Sequence, residues 1–197
     1  ILEYAAGTLV KTVTTDKEGK AVLKNLPLGS YKIVETSAPT GFVLNSEAQT
    51  VTFTYKDQET PVIEQTATFE NERQKVEISV EKQDADTEKA VAGAEFGLYA
   101  KNDIEAHGTV IVKAGSLLGK AVSGEDGKAV FTQDLPFGEY YIKELAAPNG
   151  YVFSDEVLEV KAEYQGQEVK VVQLSSVLKN QPTKVVVSNS DLSTGAE

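Results

Sequence analysis

The sequence predicts an all-β chain of small domains, and three observations carry that expectation. Short runs such as "QTVTFTY" (49–55) and "VLEVKAEY" (157–164) alternate apolar and polar residues and are rich in Val, Thr, Tyr and Phe, the pattern of a half-buried strand. Clusters of Gly, Pro, Asn and Asp separate these runs, and no long amphipathic helical stretch interrupts them. The chain also repeats itself: Leu26–Asn71 maps onto Leu135–Asn180 at a constant offset, a period too long for a solenoid unit and right for a domain.

Composition supports two modest cores. The chain has 197 residues, of which 41% are hydrophobic and 25% charged. Its net charge of −11 argues against nucleic acid or an anionic membrane as partner, because both select a basic surface; an acidic surface also keeps an exposed protein soluble. Cysteine is absent, so neither a disulfide nor a thiolate zinc site is available to staple domains this small. The chain starts at Ile1, contains no Met, and shows neither a signal peptide nor an apolar run long enough to span a membrane. It is expected to be a piece of a longer protein.

Taken in order, the first unit is expected to run from residue 1 to 74. It opens at "ILEYAAG", which matches "FGLYAKN" (96–102) of the second unit rather than that unit's beginning. "DKEGKAVL" (16–23) pairs with "GEDGKAVF" (124–131), one residue out of step; "LPLGSY" (26–31) pairs with "LPFGEY" (135–140), and "YKIVETSAPTGF" (31–42) with "YYIKELAAPNGY" (140–151). The second unit, 75–182, begins with "KVEISVEKQD" (75–84), an alternating strand for which the first unit has no counterpart. The first unit therefore reads as a domain lacking its first strand. Residues 183–197, starting "TKVVVSNSD", read as the first strand of a following domain, with Asn189 where the second unit has Lys82.

Three polar residues of the second unit fall in phase with apolar rows. Lys82 continues Val76, Ile78 and Val80; Glu144 continues Tyr140 and Ile142; Asn180 continues Leu174 and Leu178, with Ser176 between. Each sits near a strand end, so one reading is a set of snorkelling or solvent-facing edge residues. The other is chemical. A lysine desolvated in an apolar core becomes a neutral amine more readily and so a nucleophile, while a carboxylic acid in such surroundings tends to keep its proton. That acid can donate to the Asn carboxamide oxygen, stabilise the tetrahedral oxyanion and pass protons to the departing ammonia. The product is an amide between the two side chains, formed once, with folding supplying the alignment of reacting groups that can lower such a barrier by about 7–11 kcal/mol.

At these residues a resemblance becomes specific. The pattern Leu-Pro-x-Gly-x-Tyr-x-x-x-Glu-x-x-Ala-Pro-x-Gly-aromatic, present twice as "LPLGSYKIVETSAPTGF" and "LPFGEYYIKELAAPNGY", resembles the E-box of Cna B-type domains, found in SpaA-like pilins and collagen-adhesin-type surface proteins of Gram-positive bacteria. "KQDADTEKAVAGAEFGLY" (82–99) is similar to that family's opening strand and loop, in which lysine precedes x-Asp. The resemblance implies tandem prealbumin-like, or reverse immunoglobulin-like, β-sandwiches and an intramolecular isopeptide bond. Carried over by position, Lys82 matches the reactive lysine, Asn180 the last-strand asparagine and Glu144 the catalytic acid. Glu35 and Asn71 match acid and asparagine in the first unit, where no lysine of residues 1–74 takes the third place, so Asn71 is expected to stay without a covalent cross-link. "VLKNQP" (177–182) departs from the family's commoner acidic residue before Asn, which "FENER" (69–73) keeps.

The resemblance implies an extracellular stalk segment of a cell-surface adhesin or pilin-like protein, anchored to the cell wall through parts of the parent outside these residues. Its expected partners are neighbouring domains of the same protein, together with a host extracellular-matrix ligand of the parent; neither cofactor nor metal is implied. A competing expectation is an adhesive module that itself grips a host matrix protein or glycan, which a strip of surface aromatics shared by both units would favour. An enzyme is not expected: His107 is the only histidine and falls in "KNDIEAHGTV" (101–110), read as a polar loop insertion. No nucleophile motif or phosphate-cradling loop appears, and "GEDG" (124–127) reads as a hairpin turn rather than a calcium loop. The alternating tail and the missing strand together suggest head-to-tail strand exchange, the tail of one molecule adding to the first unit of another.

Overall fold

The computed structural model describes residues 4–60, 62–106 and 108–188. His107 and Asn189, both singled out above, and the end of the tail lie outside the described residues. There is no helix among the described residues; eleven strands make up the regular structure. The chain divides into two compact units. One is formed by the described residues up to Ala38 together with Leu44–Glu72, the other by Pro39–Val43 and the residues from Arg73 onward. Pro39–Val43, Arg73 and Gln74 are grouped with the second unit.

The second unit is a sandwich of two sheets. Strands β3 (Lys75–Asp84), β8 (Lys128–Phe131) and β11 (Val171–Asn180) form one sheet in the order β11-β3-β8. Strands β4 (Glu95–Ala100), β7 (Leu117–Val122), β9 (Gly138–Ala146) and β10 (Val157–Ala162) form the other in the order β10-β9-β4-β7. Their inner faces share one core that includes Ile78, Val80, Phe96, Leu98, Phe131, Tyr140, Ile142 and Leu178, all essentially inaccessible to water. β3 is central: it pairs antiparallel with β8 and parallel with β11 over the whole of β11, from Val171 opposite Lys75 to Asn180 opposite Asp84. The first and last strands of the unit thus lie side by side and point the same way.

Two sequence readings need correction. The segment around His107 is not a plain loop: β5 (Ile104–Ala106) and β6 (Thr109–Val112) pair as a small antiparallel hairpin. "GEDG" does turn tightly, with Gly127 N donating to Gly124 O at 2.9 Å and Gly124 N to Lys128 O at 3.0 Å, but β7 and β8 on either side belong to different sheets. The turn therefore carries the chain across the sandwich instead of closing a hairpin.

In the first unit, β1 (Gly29–Ile33) pairs antiparallel with β2 (Gln49–Phe53). The repeat holds at the level of register: Tyr31 faces Val51 as Tyr140 faces Val160. Both tyrosines also bond their own motif, Tyr31 Oη donating to Pro27 O at 2.7 Å and Tyr140 Oη to Pro136 O at 2.6 Å. The counterparts of β8 and β11, residues 20–23 and 62–71, carry no strand among the described residues. The reason is visible in the second unit, where β8 and β11 make ladders only with β3. Among the described residues of the first unit no central strand is present to satisfy their backbone groups, and neither flank has a ladder to join. Tyr31, Val51, Phe53 and Phe69 are accordingly only half-buried. Residues 183–188 form no strand either, and Val185, Val186 and Val187 are 86–90% exposed.

Candidate functional site

Alternation along three strands delivers three polar side chains to the core. β3 buries Val76, Ile78, Val80, Lys82 and Asp84 on its inner face; β9 buries Tyr140, Ile142 and Glu144; β11 buries Val172, Leu178 and Asn180. Lys82 and Asn180 come from one sheet and Glu144 from the other, so the three meet between the layers. The sequence-predicted residues are all brought together. Their side chains are not at the rim, which excludes the snorkelling alternative: the Lys82 and Glu144 side chains are both 0% exposed.

Lys82 Nζ lies 3.7 Å from Glu144 Oε1 and donates to the backbone carbonyl of Leu178 at 3.3 Å. Asn180 Nδ2 donates to both carboxyl oxygens of Glu144, at 2.8 Å to Oε1 and 3.0 Å to Oε2. The backbone N–H of Ser154 donates to Oε2 at 2.7 Å. Asn180 Oδ1 is buried without a hydrogen-bond partner among the described residues, an arrangement that costs about 1–3 kcal/mol. Burial pushes the Lys82 amine below its ordinary value of 10.5, against a smaller opposing pull from the Glu144 carboxylate. Lys82 is thus biased toward the nucleophilic free amine, beside a carboxyl group and a carboxamide.

A belt of ordinary contacts fixes the strand ends around this cluster. Asp84 Oδ1 accepts the backbone N–H groups of Asp86 and Thr87, each at 2.8 Å, and Oδ2 accepts the Tyr151 hydroxyl at 2.9 Å. These bonds hold the Asp84 carboxyl below the usual carboxylate range, the Thr87 N–H contributing most. Ala85 N donates to Asn180 O at 3.0 Å, tying the ends of β3 and β11 together. Lys179, next to Asn180 in β11, pairs outward with Glu88. The sequence pattern did not reveal the Leu178 carbonyl or the Ser154 N–H, both backbone groups without a residue-type signature.

In the first unit Asn71 Nδ2 donates to Glu35 Oε2 at 2.7 Å, and the backbone N–H of Asn45 donates to the same oxygen at 2.7 Å. Acid and asparagine are again together. No group of His, Asp and Glu among the described residues is arranged to hold a metal ion, and no helix of the described structure is long and apolar enough to cross a membrane.

Comparison with known proteins identifies a family for the chain. The sequence profile of the SpaA prealbumin-like fold domain matches residues 2–68 and again 76–177. The chain belongs to the SpaA prealbumin-like domain family. One match includes most of the first copy of the repeat and the other most of the second. Among solved structures, the chain is similar to the Bacillus anthracis TIE protein at 30% identity and a TM-score of 0.56, covering 85% of this chain and 28% of that one. It also aligns with the group B streptococcus pilus 2b backbone protein (20% identity, TM-score 0.42, 84% of this chain and 53% of that one). A third alignment is with the full-length major pilin SpaD of Corynebacterium diphtheriae (19% identity, TM-score 0.43, 61% and 33%). The chain thus spans between 28% and 53% of these proteins' lengths. A search among curated proteins gave no match.

Proposed function

We propose that the chain is a structural stalk segment of a cell-surface adhesin or pilin-like protein, and that its second SpaA domain is locked by an isopeptide bond between Lys82 and Asn180. The observation that carries this reading is the buried Lys82–Glu144–Asn180 cluster joining the first and last strands. Moving one proton from the Lys82 ammonium to the Glu144 carboxylate replaces a dry ion pair by a neutral amine and a neutral acid, which removes the cost of two buried charges. Half a turn of the Asn180 carboxamide then exchanges Oδ1 with Nδ2, so that protonated Glu144 donates to the oxygen left without a partner. Nζ attacks Cγ of Asn180, and a C–N bond forms as negative charge gathers on Oδ1. Collapse breaks the Cγ–Nδ2 bond; with the proton released by Nζ and carried by Glu144, Nδ2 leaves as ammonia. Amine plus carboxamide give amide plus ammonia, and nothing else is consumed.

The position of the bond suits a stalk. Tension on a tandem domain enters through its terminal strands, here β3 and β11, and a bond from Lys82 to Asn180 passes load directly between them. Closing a loop of about a hundred residues also restricts the unfolded chain by roughly 4–5 kcal/mol, by analogy with a disulfide of that span. Family membership supports an extracellular setting, with anchoring to the cell wall through other parts of the parent protein. Intact-mass spectrometry tests the reading: the chain is expected to be lighter than its sequence by one ammonia, with the branched Lys82–Asn180 peptide recovered on mapping. Mapping matters because succinimide closure at Asn149–Gly150 expels the same mass. Glu144→Ala is expected to fold, to keep the full mass and to melt at lower temperature. An unmodified mass for the parent chain excludes the cross-link.

We also infer a second contact, supported by the 86–90% exposure of Val185–Val187: residues 184–188 of one copy add as a strand to the first unit of another, without a covalent bond. Sedimentation analysis of the chain and of a version ending at Pro182 tests it. Concentration-dependent association lost on truncation is expected, and monomeric behaviour of both excludes it.

A further inference from the structure

We propose that the backbone N–H of Ser154 is a working part of the cross-linking site: it pins Oε2 of Glu144 as the accepting oxygen and leaves Oε1 to carry and pass the proton. This rests on the reading that Lys82 and Asn180 become joined. Ser154 is a positioning residue, acting through Glu144.

The same device is built twice. Ser154 N meets Glu144 Oε2 at 2.7 Å, and Asn45 N meets Glu35 Oε2 at 2.7 Å, each ten residues beyond its glutamate. The side chains at the two positions differ, so what the units share is the main-chain donor. Those side chains are also occupied elsewhere. Ser154 Oγ accepts the Glu156 N–H at 3.2 Å, and Asn45 Oδ1 accepts the Glu47 N–H at 3.0 Å. In each case the side chain bonds two residues on and away from the glutamate, so the carboxyl group is met by the main chain alone.

The consequence for the chemistry is an asymmetry between the two oxygens. A carboxyl oxygen that accepts a short N–H bond is favoured as the carbonyl oxygen, which places the hydroxyl proton on its partner. That partner, Oε1, is the oxygen 3.7 Å from Lys82 Nζ and 2.8 Å from Asn180 Nδ2. It therefore faces the amine that surrenders a proton and, once the carboxamide has turned, the Oδ1 on which negative charge gathers. Anchoring Oε2 also stops the carboxyl group from turning about its terminal torsion, a broad and otherwise soft rotation. A fixed donor provided by the backbone needs no reorganisation at the moment of reaction.

The test compares the full chain with Ser154→Pro, which removes the N–H, and Ser154→Ala, which keeps it, made by cell-free synthesis and sampled over time for loss of ammonia. Cross-linking of Ser154→Pro is expected to slow by roughly tenfold to a hundredfold, the loss typical of a reacting group misplaced by about an ångström. The conservative Ser154→Ala restores the parent rate. A Ser154→Pro chain that shows native amide protection in β3, β9 and β11 and cross-links as fast as the parent overturns the inference. Should Ser154→Pro not fold, the amide resonance of Ser154 decides in folded, uncross-linked Lys82→Ala. It is expected to move upfield and lose exchange protection when Glu144→Ala is added, which removes the acceptor, and an unchanged resonance overturns the inference. A parent chain that never loses ammonia fails earlier, at the cross-link itself, and is told apart by that.

Discussion

Lys82 is fully shielded from bulk solvent, and the chain offers its ammonium one carbonyl at 3.3 Å and one carboxyl oxygen at 3.7 Å. That is thin compensation for a buried charge, and it sets the sign of a pH effect. In Asn180→Ala the amine has no carboxamide to react with and continues to titrate. Desolvation holds it below 10.5 in the folded chain, the largest influence on it. Between that lowered value and 10.5 the unfolded chain binds the extra proton, so stability rises with pH across this window; below it, both states are protonated and the burial penalty is constant. Urea midpoints of Asn180→Ala minus those of Asn180→Ala/Lys82→Met should therefore increase toward pH 10.5, other titrating groups cancelling in the difference. A flat or falling difference rules the account out. Tyr140 shows the contrasting case, a buried polar group with its bond made. Its hydroxyl, pushed up to about 12 by burial, donates to Pro136 O at 2.6 Å. Tyr140→Phe should cost about 1 kcal/mol, the net worth of such a bond, measured by chemical denaturation.

At the level of elements, the inner rows of β3, β9 and β11 were legible because period-two alternation marks the face of a strand whatever residue occupies it, and Lys82, Glu144 and Asn180 kept phase. Alternation does not say which sheet a strand joins. The assignment of Glu144 to the opposite layer, and of β7 and β8 to different sheets, depends on long-range pairing that no local run of residues encodes. The hairpin β5–β6 was missed for a related reason: three- and four-residue strands in a polar setting give too few alternations to register. Ser154 was missed because its role belongs to a peptide group. The turn before β8 shows how such unmarked contacts position the site. Gly127 O accepts the Lys82 N–H at 2.7 Å, and Gly127 has φ of +77° with the place of a Cβ only 2.7 Å from Lys82 O. Gly127→Ala adds both a left-handed backbone penalty and a collision with the strand that carries the nucleophile. Its expected cost is about 1–3 kcal/mol, seen as a lower melting temperature of an uncross-linked background such as Lys82→Ala. An unchanged melting temperature would mean that β3 yields at no cost.

Across the whole chain, the two units differ in what resists extension. β3 and β11 are parallel neighbours, so pulling β3 from Lys75 and β11 from Asn180 shears the ladder that joins them. With Lys82 and Asn180 joined, the load runs along residues 75–82, crosses the amide and leaves at residue 180; the residues from Gln83 to Lys179 lie outside its path. Hydrogen bonds there bear no tension, and unfolding cannot lengthen the chain. The first unit of this chain has the same β1–β2 pairing and E-box bonds, but its apolar residues are half-buried. No lysine of residues 1–74 matches Lys82 in the repeat, and the unit's resistance is expected to come from packing and hydrogen bonds. Single-molecule stretching of the chain between handles at its two ends should therefore show extension of the first unit at low force, with no release of the second. Glu144→Ala should add a second event, lengthening the chain by about 3.3–3.6 Å for every residue freed between the strand ends, while the first-unit event stays where it was. The first unit serves as the internal control, because Glu144 is no part of it. If the parent and Glu144→Ala release the same total length, load does not pass through a covalent bridge in the second unit, and the mechanical role assigned to Lys82 and Asn180 is wrong whatever their chemistry.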